Sequence, residues 1–256
     1  MNATALFLVT HGSSDRRSWL ALQNLVTVAR SRQNKYGDDY DNRYISGGCL
    51  EGQELNLSQQ LVQFATEVIP SGVSEIVILP LFLLEGVHVS EDIPEQVAIA
   101  ESKLTDKLAE KFPDRSPDRS IFRLMAHVGT DKQIPSLLSR HFEKYSDESG
   151  LEKQGRILMA HGSRRFGANQ VVEDLATQSQ AIAAYWGVEP KIETQIENLL
   201  AQGFHKIKVL PYFLTEGGIT KAIANKLAPY RDRAQIQQLP VPLSNEQIVD
   251  LALKLI

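Results

Sequence analysis

Short apolar runs recur along this chain, each bounded by glycine or proline and each followed by a segment with helical spacing. Ala5 to Val9 is unbroken by any polar residue and stops near Gly12, the pattern of a strand buried on both faces. From about Asp15 to Arg30, Trp19, Leu20, Leu25, Val26 and Val28 stand among polar positions, which predicts a helix. Tyr44 to Leu50 reads as a second strand, loosened by Gly47 and Gly48. Leu55 to Val68 reads as a helix closed by Pro70 and Gly72. Glu75 to Leu79 is a third strand. Glu91 to about Lys111 follows as a helix, with acids and Pro94 near its start and Pro113 past its end. Ile121 to Met125 suggests a fourth strand, with a helix near Ile134 to Tyr145.

The second half runs in the same order. A strand at Ile157 to Met159 precedes a helix from about Asn169. A strand near Ile192, a helix to Ala201, a strand at Ile207 to Leu210 and a helix from about Thr220 follow. Specific segments also repeat. LFLVTHGSSDRR is answered by RILMAHGSRRFG, with His-Gly-Ser starting at His11 and His161. IVILPLFLLEGVHVSEDI is answered by IKVLPYFLTEGGITKAIA, and RLMAHVGTDKQIPSLL resembles QLPVPLSNEQIVDLAL in spacing. The polar, glycine-containing SDESGLEKQG lies between the copies and reads as a linker. Strands alternating with helices predict a parallel sheet flanked by helices in each half. The expected fold class is therefore α/β, one unit duplicated in a single chain, with domains at 1–147 and 148–256.

Composition narrows the function little but excludes several classes. The 256 residues are 43% apolar and 23% charged, as in an ordinary globular protein, and the formal net charge of −4 gives no basic surface for nucleic acid. No apolar run approaches the roughly 20 residues that span a bilayer, so no membrane partner is expected. The N-terminus lacks a basic leader and runs straight into the first strand, which points to a cytoplasmic protein. A lone Cys49 excludes an internal disulfide and a thiolate metal cage, and is read as a small apolar residue.

The copies differ where chemistry is expected. When the Leu-Pro pairs at Leu79 and Leu210 are aligned, Glu85 faces Glu216, but His88 faces Ile219. In parallel sheets, ligands bind beyond the carboxyl ends of the strands. His11 follows the first strand and His88 follows the third, so these two can face one crevice. Glu51 and Cys49 close the second strand at the same edge. Two imidazoles with an optional carboxylate suit a borderline divalent cation such as Fe²⁺, Co²⁺, Ni²⁺ or Zn²⁺. So few protein ligands leave coordination positions open, as for an ion in transit. Imidazole near neutral pH also accepts a proton. His161, without a partner, reads as a retained turn residue, and His127, His141 and His205 as packing or surface residues. Arg16, Arg17, Arg164 and Arg165 are solvated helix starts or partners for ligand carboxylates.

THGS near the N-terminus, PLFLLEGVHVSEDIP, the central AHGSR and the later LPYFLTEGG together resemble the sirohydrochlorin chelatases of the CbiX/SirB type, in their long two-repeat form within the class II chelatases. The resemblance implies two chelatase-like domains, with the active site in the N-terminal one and a degenerate site in the C-terminal one. It implies ATP-independent insertion of Fe²⁺ or Co²⁺ into sirohydrochlorin, for sirohaem or cobalamin. The metal, with Ni²⁺ as a further option, is then a substrate, and no cofactor is permanently bound. Carried over by position, His11 and His88 are the catalytic, metal-binding histidines. Glu51 and the turn Phe82, Leu83, Leu84, Glu85, Gly86 and Val87 contact the tetrapyrrole. Glu85 is larger and more acidic than this turn is expected to carry. A monomer is expected, the duplication acting as an internal pseudo-dimer.

Two other readings compete. A histidine phosphatase also places His-Gly after its first strand, but uses an arginine just before it, where this chain has Thr10. A metal or tetrapyrrole carrier would bind the same ligands without catalysing insertion.

Overall fold

The computed structural model describes residues 3–32, 44–111, 120–146 and 153–256, with side chains 106–111 excepted. The first half forms a parallel four-stranded sheet, and the second half forms another. In the first sheet the order is β2 (Ile45–Glu51), β1 (Ala3–Gly12), β3 (Val73–Pro80) and β4 (Phe122–Leu124). β1 therefore lies inside, and its run Ala5–Val9 is fully buried. Alternation along the strand explains this. Ala5, Phe7 and Val9 share a core with Leu57, Leu61 and Phe64 of α2 (Leu57–Val68) and with Ala100 and Leu104 of α3 (Ile93–Lys111). Leu6 and Leu8 point to the other face, where α1 (Arg16–Ser31) packs on the sheet.

Local chemistry sets the helix starts. Asp15 caps α1 by accepting from the Arg17 N–H, and Asn56 and Gln59 form a reciprocal capping box at α2. The outer edge of β2 is closed by side chains. Gln60 bonds both the N–H and the carbonyl of Cys49, and Arg30 bonds the carbonyl of Ile45.

The second sheet has the order β6 (Ile182–Tyr185), β5 (Gln154–Ala160), β7 (Lys206–Pro211) and β8 (Gln235–Gln238). Ile157 and Met159 of β5 pack with Ile192, Ile196 and Leu199 of α6 (Ile192–Ala201) and Ile223 and Leu227 of α7 (Gly218–Leu227). One element corrects the sequence reading. Ile192 opens a helix; the strand there is the earlier run Ile182–Tyr185. Ile192, Ile196 and Leu199 recur at helical spacing and bury one face, which a strand could not do. Gln154 and Gly155, read as linker, already belong to β5.

The contacts divide the chain into two compact units, Met1–Asp131 with Asn245–Ile256, and Lys132–Ser244. The expected boundary at 147/148 lies outside the described residues. Each compact unit contains the last helix of the other sequence copy. In the first unit, α8 (Asn245–Leu253) packs on α1, with Arg32 and Asp250 paired at 3.4 Å. In the second, α4 (Ile134–Lys144) packs on α5 (Gln170–Gln178), His141 Nε2 donates to the Pro240 carbonyl at 3.1 Å, and Arg156 lies over the Phe142 ring. Among the described residues no helix is long and apolar enough to cross a membrane.

Candidate active site

His11 is the penultimate residue of β1, inside the strand and not beyond it. The next residue turns the chain with φ of +80°, a conformation that glycine adopts without strain. Space demands glycine as well. A Cβ on Gly12 would lie 2.2 Å from the Glu51 carbonyl oxygen and 2.6 Å from the Cys49 Cβ. This turn brings the Gly12 carbonyl back to its neighbour, where it accepts from His11 Nδ1 at 2.9 Å. A carbonyl only accepts, so in the neutral ring the proton resides on Nδ1 and Nε2 presents a lone pair. The second copy repeats the device, with φ of +78° at Gly162 and His161 Nδ1 donating to the Gly162 carbonyl at 3.1 Å.

His88 arrives from β3. Beyond Pro80 the chain stays beside β1, with the Leu81 N–H on the Val9 carbonyl at 2.7 Å. The turn is then pinned from a distant segment. The Phe82 carbonyl accepts from the Gly129 N–H at 2.9 Å and from the buried His127 Nδ1 at 3.0 Å. A Cβ on Gly129 would sit 1.9 Å from the Leu83 carbonyl oxygen. Gly129→Ala must therefore displace the turn that carries His88. It is expected to cost about 1–3 kcal/mol, the usual range for overpacking, and to weaken metal binding. Thermal denaturation and Co²⁺ titration of the variant check this.

From Gly86, whose carbonyl accepts from Val89 and Ser90, the chain enters a single π-turn, His88–Asp92, that opens α3. Such turns recur at functional sites. This one sets His88 Nδ1 2.6 Å from Asp92 Oδ2 and points Nε2 at His11. The two Nε2 atoms are 3.0 Å apart, with ring centroids at 4.5 Å and planes at 82°. Residues separated by 77 positions thus meet at one point. Two metal–nitrogen bonds of about 2.1 Å meeting at a right angle separate their nitrogens by about 3.0 Å. The spacing suits neighbouring positions around one borderline cation, for which neutral imidazole is a good ligand. Among the described residues no group of three His, Cys, Asp or Glu is placed to hold a metal.

The other sequence candidates are distributed unevenly. Glu51 ends β2 in register with Gly12, and its side chain is exposed. In the turn, Leu83 is buried, Phe82 packs partly against the core, Leu84 and Gly86 are half-buried, and Glu85 and Val87 are exposed. Cys49 is buried with its sulfur 3.4 Å from Thr10 Oγ1, and burial pushes the thiol pKa up, so it packs as an apolar group. Arg17 pairs with Asp15, and Arg16 is exposed. In the second unit, Ile219 packs against the core where His88 has its counterpart, and Glu216 accepts from the Val241 N–H.

Two residues escaped the sequence reading, Asp92 and Gly129, while His127, read as a packing or surface residue, is a buried one that pins the turn. Asp92 could have been found, because it lies four residues past His88 at a helix start. Nothing local marks His127 or Gly129, whose role is a contact across the sheet edge.

Comparison with known proteins agrees with this architecture. The CbiX family model matches residues 5–145 and again 155–252. No curated protein sequence matches the chain. Among solved structures, SirB from Bacillus subtilis with Fe³⁺ superposes with a TM-score of 0.75 at 16% identity, covering 99% of this chain and 94% of that one. The sirohydrochlorin chelatase SirB from Bacillus subtilis subspecies spizizenii in complex with cobalt gives 0.69 at 16% identity, covering 99% and 93%. CbiX, described as the terminal enzyme for biosynthesis of siroheme in denitrifying bacteria, gives 0.65 at 18% identity, covering 98% and 96%. At these identities the likeness establishes a shared fold, two chelatase-like domains from one duplication. With both halves matched by the same family model, the chain belongs to the CbiX family.

Proposed function

We propose that this protein is a sirohydrochlorin chelatase that inserts Fe²⁺ or Co²⁺, with its working site in the N-terminal repeat. The observation that carries the reading is the approach of His11 Nε2 to His88 Nε2 at 3.0 Å. Family membership and the names of the structurally similar SirB and CbiX proteins support the substrate. The chemistry fits the donor set. Two imidazoles hold a divalent ion while leaving most of its coordination sphere to the incoming ring nitrogens. Insertion of M²⁺ into the free-base macrocycle releases two pyrrole protons, so the net charge is unchanged and no nucleotide is consumed. As the ion passes to the ring, an imidazole freed of metal accepts one of those protons. The other leaves to solvent, to which both side chains are open.

The remaining roles follow from position. Glu51, in register with Gly12, and the exposed turn residues Glu85 and Val87, shortly before His88 in the chain, contact the tetrapyrrole, with Phe82, Leu83, Leu84 and Gly86 setting the turn's shape. Arg16 offers a cation for the carboxylates at the macrocycle rim. In the C-terminal repeat His161 keeps its turn, but Ile219 stands at the position matching His88, so that copy is degenerate.

The visible spectrum tests insertion against carriage. Sirohydrochlorin mixed with Co²⁺ under anaerobic conditions is expected to form the metallated product faster when the protein is present in catalytic amounts. A spectral shift that is stoichiometric with protein, without faster product formation, would show a carrier instead.

A further inference from the structure

We infer that Asp92 selects the metal-receptive tautomer of His88, and so decides whether the histidine pair takes up a cation or closes on itself. The inference rests on the reading of this pair as a metal-binding site. A neutral imidazole has one bare nitrogen, and the partner of the other nitrogen determines which. For His11 the backbone makes the choice, since its Nδ1 faces the Gly12 carbonyl. His88 has no carbonyl there. Its Nδ1 faces Asp92 Oδ2 at 2.6 Å, and a carboxylate accepts without donating. The proton is therefore drawn to Nδ1, and Nε2 is left bare.

The consequence lies in the short gap. Two bare Nε2 atoms facing each other at 3.0 Å repel unless something positive lies between them. The other tautomer of His88 removes the repulsion, because its Nε2–H would donate to His11 Nε2. That hydrogen bond satisfies the pair internally and blocks the lone pair that a metal needs. Among the described residues, it is the Asp92 carboxylate on Nδ1 that weighs against it. Asp92 is thus a positioning residue that keeps the pair poised for a cation.

The second repeat treats the two positions as a unit. The residues matching His88 and Asp92 are Ile219 and Ile223. Ile223 is fully buried and Ile219 packs on the same apolar cluster. Both polar members are absent together, as expected when the carboxylate serves the histidine and not the helix.

The decisive variant is Asp92→Asn, which is nearly isosteric. Its amide N–H₂ donates to a bare Nδ1 and so favours the closed pair; the same exchange beside the catalytic histidine of serine proteases keeps the geometry and imposes the wrong tautomer. Asp92→Ala removes the bias without reversing it, and Asp92→Glu retains a carboxylate. Co²⁺ affinity, measured by titration calorimetry, is expected in the order Asp, Glu, Ala, Asn. Asn should lie about 100-fold and Ala about 10-fold below the unmodified protein. Long-range ¹H–¹⁵N spectra of histidine-labelled, metal-free protein should show His88 Nε2 unprotonated with Asp92 and protonated in Asp92→Asn. A purely structural role predicts instead that Asn, the near-isosteric variant, is the mildest change. Asp92→Asn binding Co²⁺ as tightly as Asp92→Ala or tighter, or with His88 Nε2 still unprotonated, overturns the inference and leaves the metal site standing. Failure of the unmodified protein to bind Co²⁺ overturns both.

Discussion

His11→Ala and His88→Ala are each expected to slow metal insertion into sirohydrochlorin by more than about 100-fold, whereas His161→Ala stays within about twofold. Loss of an outer partner to a metal ligand typically costs about 10–100-fold, and loss of the ligand itself exceeds that. Either substitution leaves a single imidazole facing the ion, so the two should be similarly severe, and the double variant little worse. Neither should unfold the protein. Both rings lie at the surface end of their elements, where substitutions usually change stability by within about 0.5 kcal/mol. His161 makes the same backbone bond as His11 but faces a repeat with Ile219 in place of the second imidazole. Initial rates with Co²⁺, alongside melting curves, check this. Severe loss in His161→Ala with activity kept in His88→Ala would place the chemistry in the other repeat.

Gly12→Ala should damage both fold and site, while the matched Gly162→Ala should damage only the fold. Holding alanine near φ of +80° costs about 1–2 kcal/mol. The added Cβ also meets the backbone oxygen of Glu51 at 2.2 Å, which cannot swing aside. Overpacking of that kind adds about 1–3 kcal/mol. For a chain of this size the sum lowers Tm by roughly 4–20 °C. Relief of the clash must part the ends of β1 and β2 and move the Gly12 carbonyl off His11 Nδ1, so Co²⁺ affinity falls as well. At Gly162 the nearest atoms are the Val188 Cγ2 at 2.7 Å and the Tyr185 Cβ at 2.8 Å, both held close to the backbone, so that variant is strained as well. Gly162→Ala is expected to melt earlier than the unmodified protein but to bind Co²⁺ with unchanged affinity. Equal loss of metal in both variants would contradict the assignment of the site to the first repeat.

Much of this was legible because buried parallel strands write themselves as unbroken apolar runs, and the chain writes them twice. His11 stood out through the His-Gly-Ser that both copies keep, and His88 through the exchange of histidine for Ile219 in the second copy. The misplaced strand shows the limit. Ile192 follows Pro190 and is apolar, and only the full spacing to Ile196 and Leu199 marks it as helical, while the alanine-rich Ile182–Tyr185 carries a weak strand signal. Leu83, which the resemblance put in the ligand-contacting turn, is folded into the core between the half-buried Phe82 and Leu84. The exchange of last helices was illegible, since α4 and α8 have the same pattern whichever sheet they cover. Gly129 and His127 act across the fold on Phe82 and Leu83, and no local pattern records such a contact.

The central claim is that side chains 11 and 88 share a single ion, and direct metal titration addresses it without any tetrapyrrole. Anaerobic calorimetry with Co²⁺ should give one site per chain, present in His161→Ala and absent from both His11→Ala and His88→Ala. A site that survives either of those two losses, or vanishes with His161, would contradict it.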